Sequence, residues 1–253
     1  MSRALTIELL FPEIANLHGD NANVDYLLKC RPDARVVRTG LTDTPAFSSE
    51  PVDLVYLGAM TENSQLKAID HLRPHRDRIE ALIEAGTSFL FTHNAVEVLG
   101  TRIRNDEMKY DVAGVGVFDI ESTVAMFGRY NGKVMGTVPE AGADNPVVGY
   151  KSQFSMVTGG DSIAGFLTAD RGIGRNTTTA VEGVRRNNFI GTSLLGPLLI
   201  ANPHFTRGLL ARLDPDTEPV LAHEKLALAA YDARLQDFRD ARRWHPFEQP
   251  TSH

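Results

Sequence analysis

The sequence predicts an α/β protein with a mostly parallel central sheet, helices on both faces and an antiparallel extension. Three observations carry that expectation. Short apolar runs rich in β-branched or aromatic residues, at 5–10, 35–38, 52–57 and 88–92, read as buried strands, and helix-like segments at 21–30 and 64–85 lie between them. Alternation of this kind builds a parallel sheet, because each strand needs a crossover to return the chain to the same end. Finally, 253 residues with 42% hydrophobic side chains suffice for one large core.

Each element has a local reason. The first strand is stopped by Pro12. The 64–85 helix meets Pro74, which interrupts it, and Gly86, which ends it. From 112 the chain changes character. Runs at 112–120, 133–138, 147–150, 163–167 and 178–181 are short, separated by Gly and Asn, and lack helical partners, so they supply the antiparallel extension. A return strand at 188–192 leads into a helix at 196–213 interrupted near Pro203. A long charged helix over 218–243 follows, whose apolar residues Leu221, Leu228, Tyr231, Leu235 and Phe238 form one stripe that docks on the same domain. No repeat or low-complexity linker divides the chain, so residues 1–245 are expected to form a single domain with a short tail at 246–253.

Composition removes several classes of function. Thirty-two acidic against 26 basic residues give a net charge of -6, which is no footprint for nucleic acid or an anionic membrane. The apolar run before Pro12 is too short for a secretory signal, and no segment approaches the roughly 18–20 apolar residues of a membrane-spanning helix. A single cysteine, Cys30, can form neither an internal disulfide nor a thiolate metal cage, and it suits a reducing, cytoplasmic setting. Its helical surroundings read as those of a packed hydrophobe.

The chemistry is expected at two strand-to-helix turns. In the first, Ser88-Phe-Leu-Phe-Thr-His-Asn-Ala-Val-Glu-Val-Leu-Gly100, His93 occupies a tight turn of the type that exposes a nucleophile beside a helix N-terminus. Asn94 is the non-glycine type that best tolerates such a turn. The second is Asn188-Phe-Ile-Gly-Thr-Ser-Leu-Leu-Gly-Pro197. Together with Asn16-Leu-His-Gly-Asp-Asn-Ala-Asn23 and Gly114-Val-Gly-Val-Phe-Asp119, these segments resemble the class I glutamine amidotransferases of the cobyric-acid-synthase-like (CobB/CobQ-like) branch. Within that branch the chain looks like the GatD-type subunits of lipid II isoglutaminyl synthase.

The resemblance implies a flavodoxin-like sheet and a glutaminase site, but with both catalytic positions replaced. Where the family reads Cys-Gly-Gly-Tyr-Gln-x-Leu-Gly, the register places His93 at the cysteine and Glu97 at the glutamine. Where it reads Gly-Thr-Tyr-Leu-His-Gly-Pro, Leu195 stands for the histidine. Gly58 matches the turn that helps to form the oxyanion hole, though Ala59 and Met60 replace its companions. Arg129 matches the arginine that anchors the glutamine carboxylate, and Gly149-Tyr-Lys-Ser-Gln153 replaces a segment that usually carries a histidine. His93, Asn94, Leu195 and Gly58 therefore mark a vestigial pocket, with no catalytic dyad.

The function so implied is a noncatalytic amidotransferase-like subunit, with a Mur-ligase-like, ATP-dependent amidating subunit as partner and glutamine or another small amine as ligand. An enzyme using His93 as general base is the alternative, and an active glutaminase that recruits Cys30 the third. No cofactor or metal is expected. Gly172-Ile-Gly-Arg-Asn-Thr-Thr178 lacks the ending of a phosphate-binding loop and reads as a strand connection. His71 and His75 are four apart but separated by Pro74.

Overall fold

The computed structural model describes residues 4–243. The expected domain boundary at 245/246 and the tail 246–253 lie outside them. In chain order the elements are β1 (Thr6–Leu10), α1 (Ala22–Cys30), β2 (Arg35–Thr39), β3 (Leu54–Leu57), α2 (Glu62–Leu72), α3 (Arg76–Glu84), β4 (Ser88–Thr92), α4 (Ala95–Val98) and β5 (Arg102–Asn105). These are followed by β6 (Tyr110–Ala113), β7 (Ile120–Val124), β8 (Tyr130–Thr137), β9 (Val147–Gln153), β10 (Ser155–Gly159), β11 (Leu167–Arg171), β12 (Val181–Glu182) and β13 (Val184–Arg186). The last four are β14 (Phe189–Thr192), α5 (Leu198–Ala201), α6 (Pro203–Leu213) and α7 (Glu224–Arg239).

The central sheet has the order β13-β14-β4-β3-β1-β2. All its pairings are parallel except β13 on β14, which supplies its antiparallel edge. Strand period decides which side chains go where. Val55, Leu57, Phe89, Phe91 and Phe189 face one core, with Ile69 and Leu72 of α2 and Ile79 and Ile83 of α3. Leu54, Tyr56, Leu90 and Ile190 face the other, with Val24 and Leu27 of α1, Leu198 of α5 and Phe205 of α6. Both faces are therefore covered, as a parallel sheet requires.

The middle of the chain goes further than an extension of that sheet. It makes two separate four-stranded sheets, β10-β7-β5-β6 and β12-β11-β8-β9. The run expected at 112–120 is not one strand. Gly114 to Asp119 form a connection between β6 and β7, and Gly116 has φ +79°. Strands β5, β10 and β13 lie where no strand was expected, and the runs at 163–167 and 178–181 move to β11 and β12. The Gly172 segment does join two strands, β11 and β12, which pair antiparallel.

Helix α7 begins at Glu224 rather than 218, because Pro219 precedes it and His223 adopts a left-handed φ of 53°. Tyr231, Leu235 and Phe238 pack on Met135 and Val148 of β8 and β9, so the stripe docks within the protein. Leu221 is buried ahead of the helix and Leu228 is half-buried. Among the described residues no helix is long and apolar enough to cross a membrane.

Candidate functional site

Strand β4 ends at Thr92 and α4 starts at Ala95, so His93 and Asn94 alone make the turn. His93 takes φ +53°, the left-handed strain that a nucleophile turn demands, at a cost of about 1–2 kcal/mol for an L-residue. The surroundings hold it there. The Asn94 side-chain amide accepts the Met60 N–H at 3.1 Å and donates to the Met60 carbonyl at 2.9 Å. Just before the turn, the Thr92 hydroxyl donates to the Asp20 carboxylate.

The His93 imidazole is 8% exposed, and its Nε2 lies 2.8 Å from the Ser152 carbonyl. A carbonyl only accepts, so Nε2 carries the hydrogen, and in the neutral ring Nδ1 is a bare lone pair. Nδ1 is buried and has no hydrogen-bond partner. The centre of the His18 ring lies 5.8 Å from the centre of the His93 ring, edge-on. Partial burial lowers the His18 pKa, and His93 adds to that effect.

Gly58 follows β3 in a space that only glycine fits, since a Cβ there would come within 2.5 Å of the Ala15 carbonyl. The next two N–H groups are both engaged: Ala59 donates to Asp20 Oδ2 at 2.7 Å, and Met60 to Asn94. Neither is free to receive a developing oxyanion. Leu195 is half-buried, and its N–H donates to the Tyr150 carbonyl at 2.8 Å. At the neighbouring Gly196 a Cβ would run into Asp20 Oδ1, which ties the return-strand turn to the same carboxylate.

Asp20 is thus the hub of the site, and the sequence reading passed over it although it lies in the quoted Asn16–Asn23 segment. It is fully buried, and that burial raises its pKa while the Thr92 and Ala59 hydrogen bonds pull it down. Asn23, the second residue of α1, donates to the Tyr56 hydroxyl at 2.8 Å and accepts the Leu199 N–H at 2.8 Å. The only advance signal was an acid placed where the first strand turns into a helix.

Glu97 of α4 is buried, accepting from Ser155 Oγ and, at 3.4 Å, from Gln65. Burial pushes its carboxyl pKa up. His93, Asn94, Glu97, Ser155, Phe154 and Gln65 surround a cleft of about 20 Å³. That is room for a water-sized occupant, not for glutamine. Arg129 is exposed at its rim, with its guanidinium 4.3 Å over the Phe154 ring.

The remaining residues lie apart from the turn. Cys30 ends α1, which starts beside Asp20 and carries the thiol roughly 10 Å along the helix axis from Asn23. Its Sγ accepts the Ala222 N–H at 3.3 Å, and burial pushes the thiol pKa up, away from thiolate character. Lys151, in the Gly149–Gln153 segment, is wholly buried and pairs with the equally buried Glu182 at 3.4 Å. Glu182 in turn accepts from the Thr192 hydroxyl and the Ser193 N–H, both at 2.8 Å. Among the described residues no group of three or more His, Cys, Asp or Glu side chains is placed to hold a metal ion.

A family model of the CobB/CobQ-like glutamine amidotransferase domain matches residues 6–203. Over 211 residues the chain is 24% identical to a Staphylococcus aureus protein named lipid II isoglutaminyl synthase (glutamine-hydrolyzing) subunit GatD, which covers 82% of this chain and 84% of that protein. Among solved structures, PurLQS from Thermotoga maritima superposes with a TM-score of 0.59 at 12% identity, over 85% of this chain and 100% of that one. A glutamine amidotransferase from the same organism gives a TM-score of 0.51 at 10% identity, over 94% of this chain and 100% of the other. At such identities the likeness shows the fold alone.

Proposed function

We propose that this chain, which belongs to the CobB/CobQ-like glutamine amidotransferase family, is an amidotransferase-like subunit that has lost glutamine hydrolysis. It pairs with a Mur-ligase-like, ATP-dependent subunit that amidates a cell-wall precursor in the cytoplasm. The relative named as a lipid II isoglutaminyl synthase subunit supports the pathway and the pairing. One observation carries the loss: the left-handed turn position holds His93, whose bonded nitrogen is tied to a main-chain carbonyl, with no thiol near it. Leu195, at the expected base position, has no proton to accept, and the Ala59 and Met60 amides are already bonded. Attack on a carboxamide needs nucleophile, base and oxyanion donors together.

The test is glutamate release by the purified chain, alone and with its neighbouring ligase. Background rates in both are expected. Release that His93→Ala abolishes would overturn the reading. A second reading, with His93 as a general base for other chemistry, draws on the unpaired Nδ1. It requires a substrate that the 20 Å³ cleft admits.

A further inference from the structure

We propose that the cleft beside His93 binds ammonium, held by His93 Nδ1 and the Glu97 carboxylate. Its purpose rests on the reading above, since a subunit without glutaminase activity would take its nitrogen from solution and not from glutamine.

The physical case lies in what the cleft offers an occupant. Each side-chain nitrogen or hydroxyl donor around it already has a partner. Gln65 Nε2 donates to the Asn94 carbonyl and to Glu97, Asn94 Nδ2 donates to the Met60 carbonyl, and the Ser155 hydroxyl donates to Glu97. What remains are acceptors: the unpaired Nδ1 of a side chain more than nine-tenths buried, and the carboxylates of Glu97 and Glu62. Glu97 is buried, and its carboxylate is bonded by the hydroxyls of Ser155 and Ser122 and the amide of Gln65, none of them a cation, so its charge leaves a place for one.

Shape and chemistry then select the cation. The space of about 20 Å³ suits a species the size of water. An imidazole lone pair asks for an N–H donor, which ammonium supplies four times over and an alkali ion does not. Val124 and Phe154 close the other walls with apolar surface, which strengthens a charge-assisted hydrogen bond formed there.

The experiment titrates the full chain with ammonium chloride, and separately with potassium chloride at equal ionic strength, following the His93 ring nitrogens by NMR without glutamine or partner. A saturable change with ammonium and none with potassium is expected. Glu97→Gln, which keeps the side-chain shape, should weaken the response by at least about tenfold. An identical response to potassium, no saturable response, or wild-type affinity in Glu97→Gln would each overturn the proposal. The wild-type comparison stands even if the variant fails to fold. Glutaminase activity, were it found, would remove the inactive reading and leave an observed ammonium site in place; absence of binding would do the reverse.

Discussion

The Thr92 hydroxyl donates to the carboxylate of Asp20, 72 residues away in sequence, and so fixes the end of β4 to the loop that follows β1. The same carboxylate takes the Ala59 N–H and sits against Gly196. Three strand ends thus converge on one buried acid.

Asp20→Ala leaves the Thr92 hydroxyl and the Ala59 amide without an acceptor, which should cost about 2–4 kcal/mol in chemical denaturation. Asp20→Asn provides the pH test. Burial raises the carboxyl above 3.8 in the folded protein, so the folded state binds the proton more tightly than the unfolded chain does. Wild-type stability relative to Asp20→Asn should fall as pH rises from 3.8 through the raised value and level off above it. A flat difference across that window would show that Asp20 is not desolvated as described.

Gly196→Ala drives a methyl group into Asp20 Oδ1, and the carboxylate can move aside only by giving up its hydrogen bonds to Thr92 and Ala59. Its melting temperature should drop by far more than that of Leu226→Ala, a change at an exposed helix position worth less than about 0.5 kcal/mol. Equal melting temperatures would contradict the packing of the return-strand turn on Asp20.

His93→Cys combined with Leu195→His installs the cysteine and histidine that the proposed reading takes to be replaced. Glutamate release by the double variant should nonetheless stay near background, because the cleft is too small for glutamine and the Met60 and Ala59 amides remain bonded. Turnover above the level of either single variant would show that the pocket opens on its own.

Lys151→Met leaves Glu182 as a buried charge without its cation, a loss of about 3–5 kcal/mol in urea unfolding. Adding Glu182→Gln should restore part of it, since the amide oxygen still accepts from Ser193. If the double variant were less stable than Lys151→Met, the pair would not be the source of the loss.

The central sheet was legible where a strand is a buried apolar run, as 88–92 is in β4; 35–38 falls within β2, but that strand is the sheet edge and exposes Arg35 and Arg38 rather than being buried. The turn at His93 was legible too, from the absence of any linker between β4 and α4. The second and third sheets were harder. Strand β5 buries only Ile103 and Asn105 of its four residues, and β12 has two residues in all, so neither offers enough of a period to read. Glycine-bearing 112–120 looked extended yet forms a connection, because Gly114 and Gly116 hydrogen-bond back to Thr101 and Gly100. In the site, His93, Asn94 and Gly58 were legible as turn residues. Asp20 and the Lys151–Glu182 pair were not, since their importance comes from partners far along the chain.

The bend at position 93 is maintained by neighbours, with the Asn94 amide clasping Met60 and Asp20 gripping Thr92. Form and reactivity are thereby uncoupled: the residue presented at the apex can change while the bracket around it persists. A turn held in this way stays rigid and preshaped whichever side chain stands at its apex, so the chemistry it presents can be exchanged without rebuilding the fold.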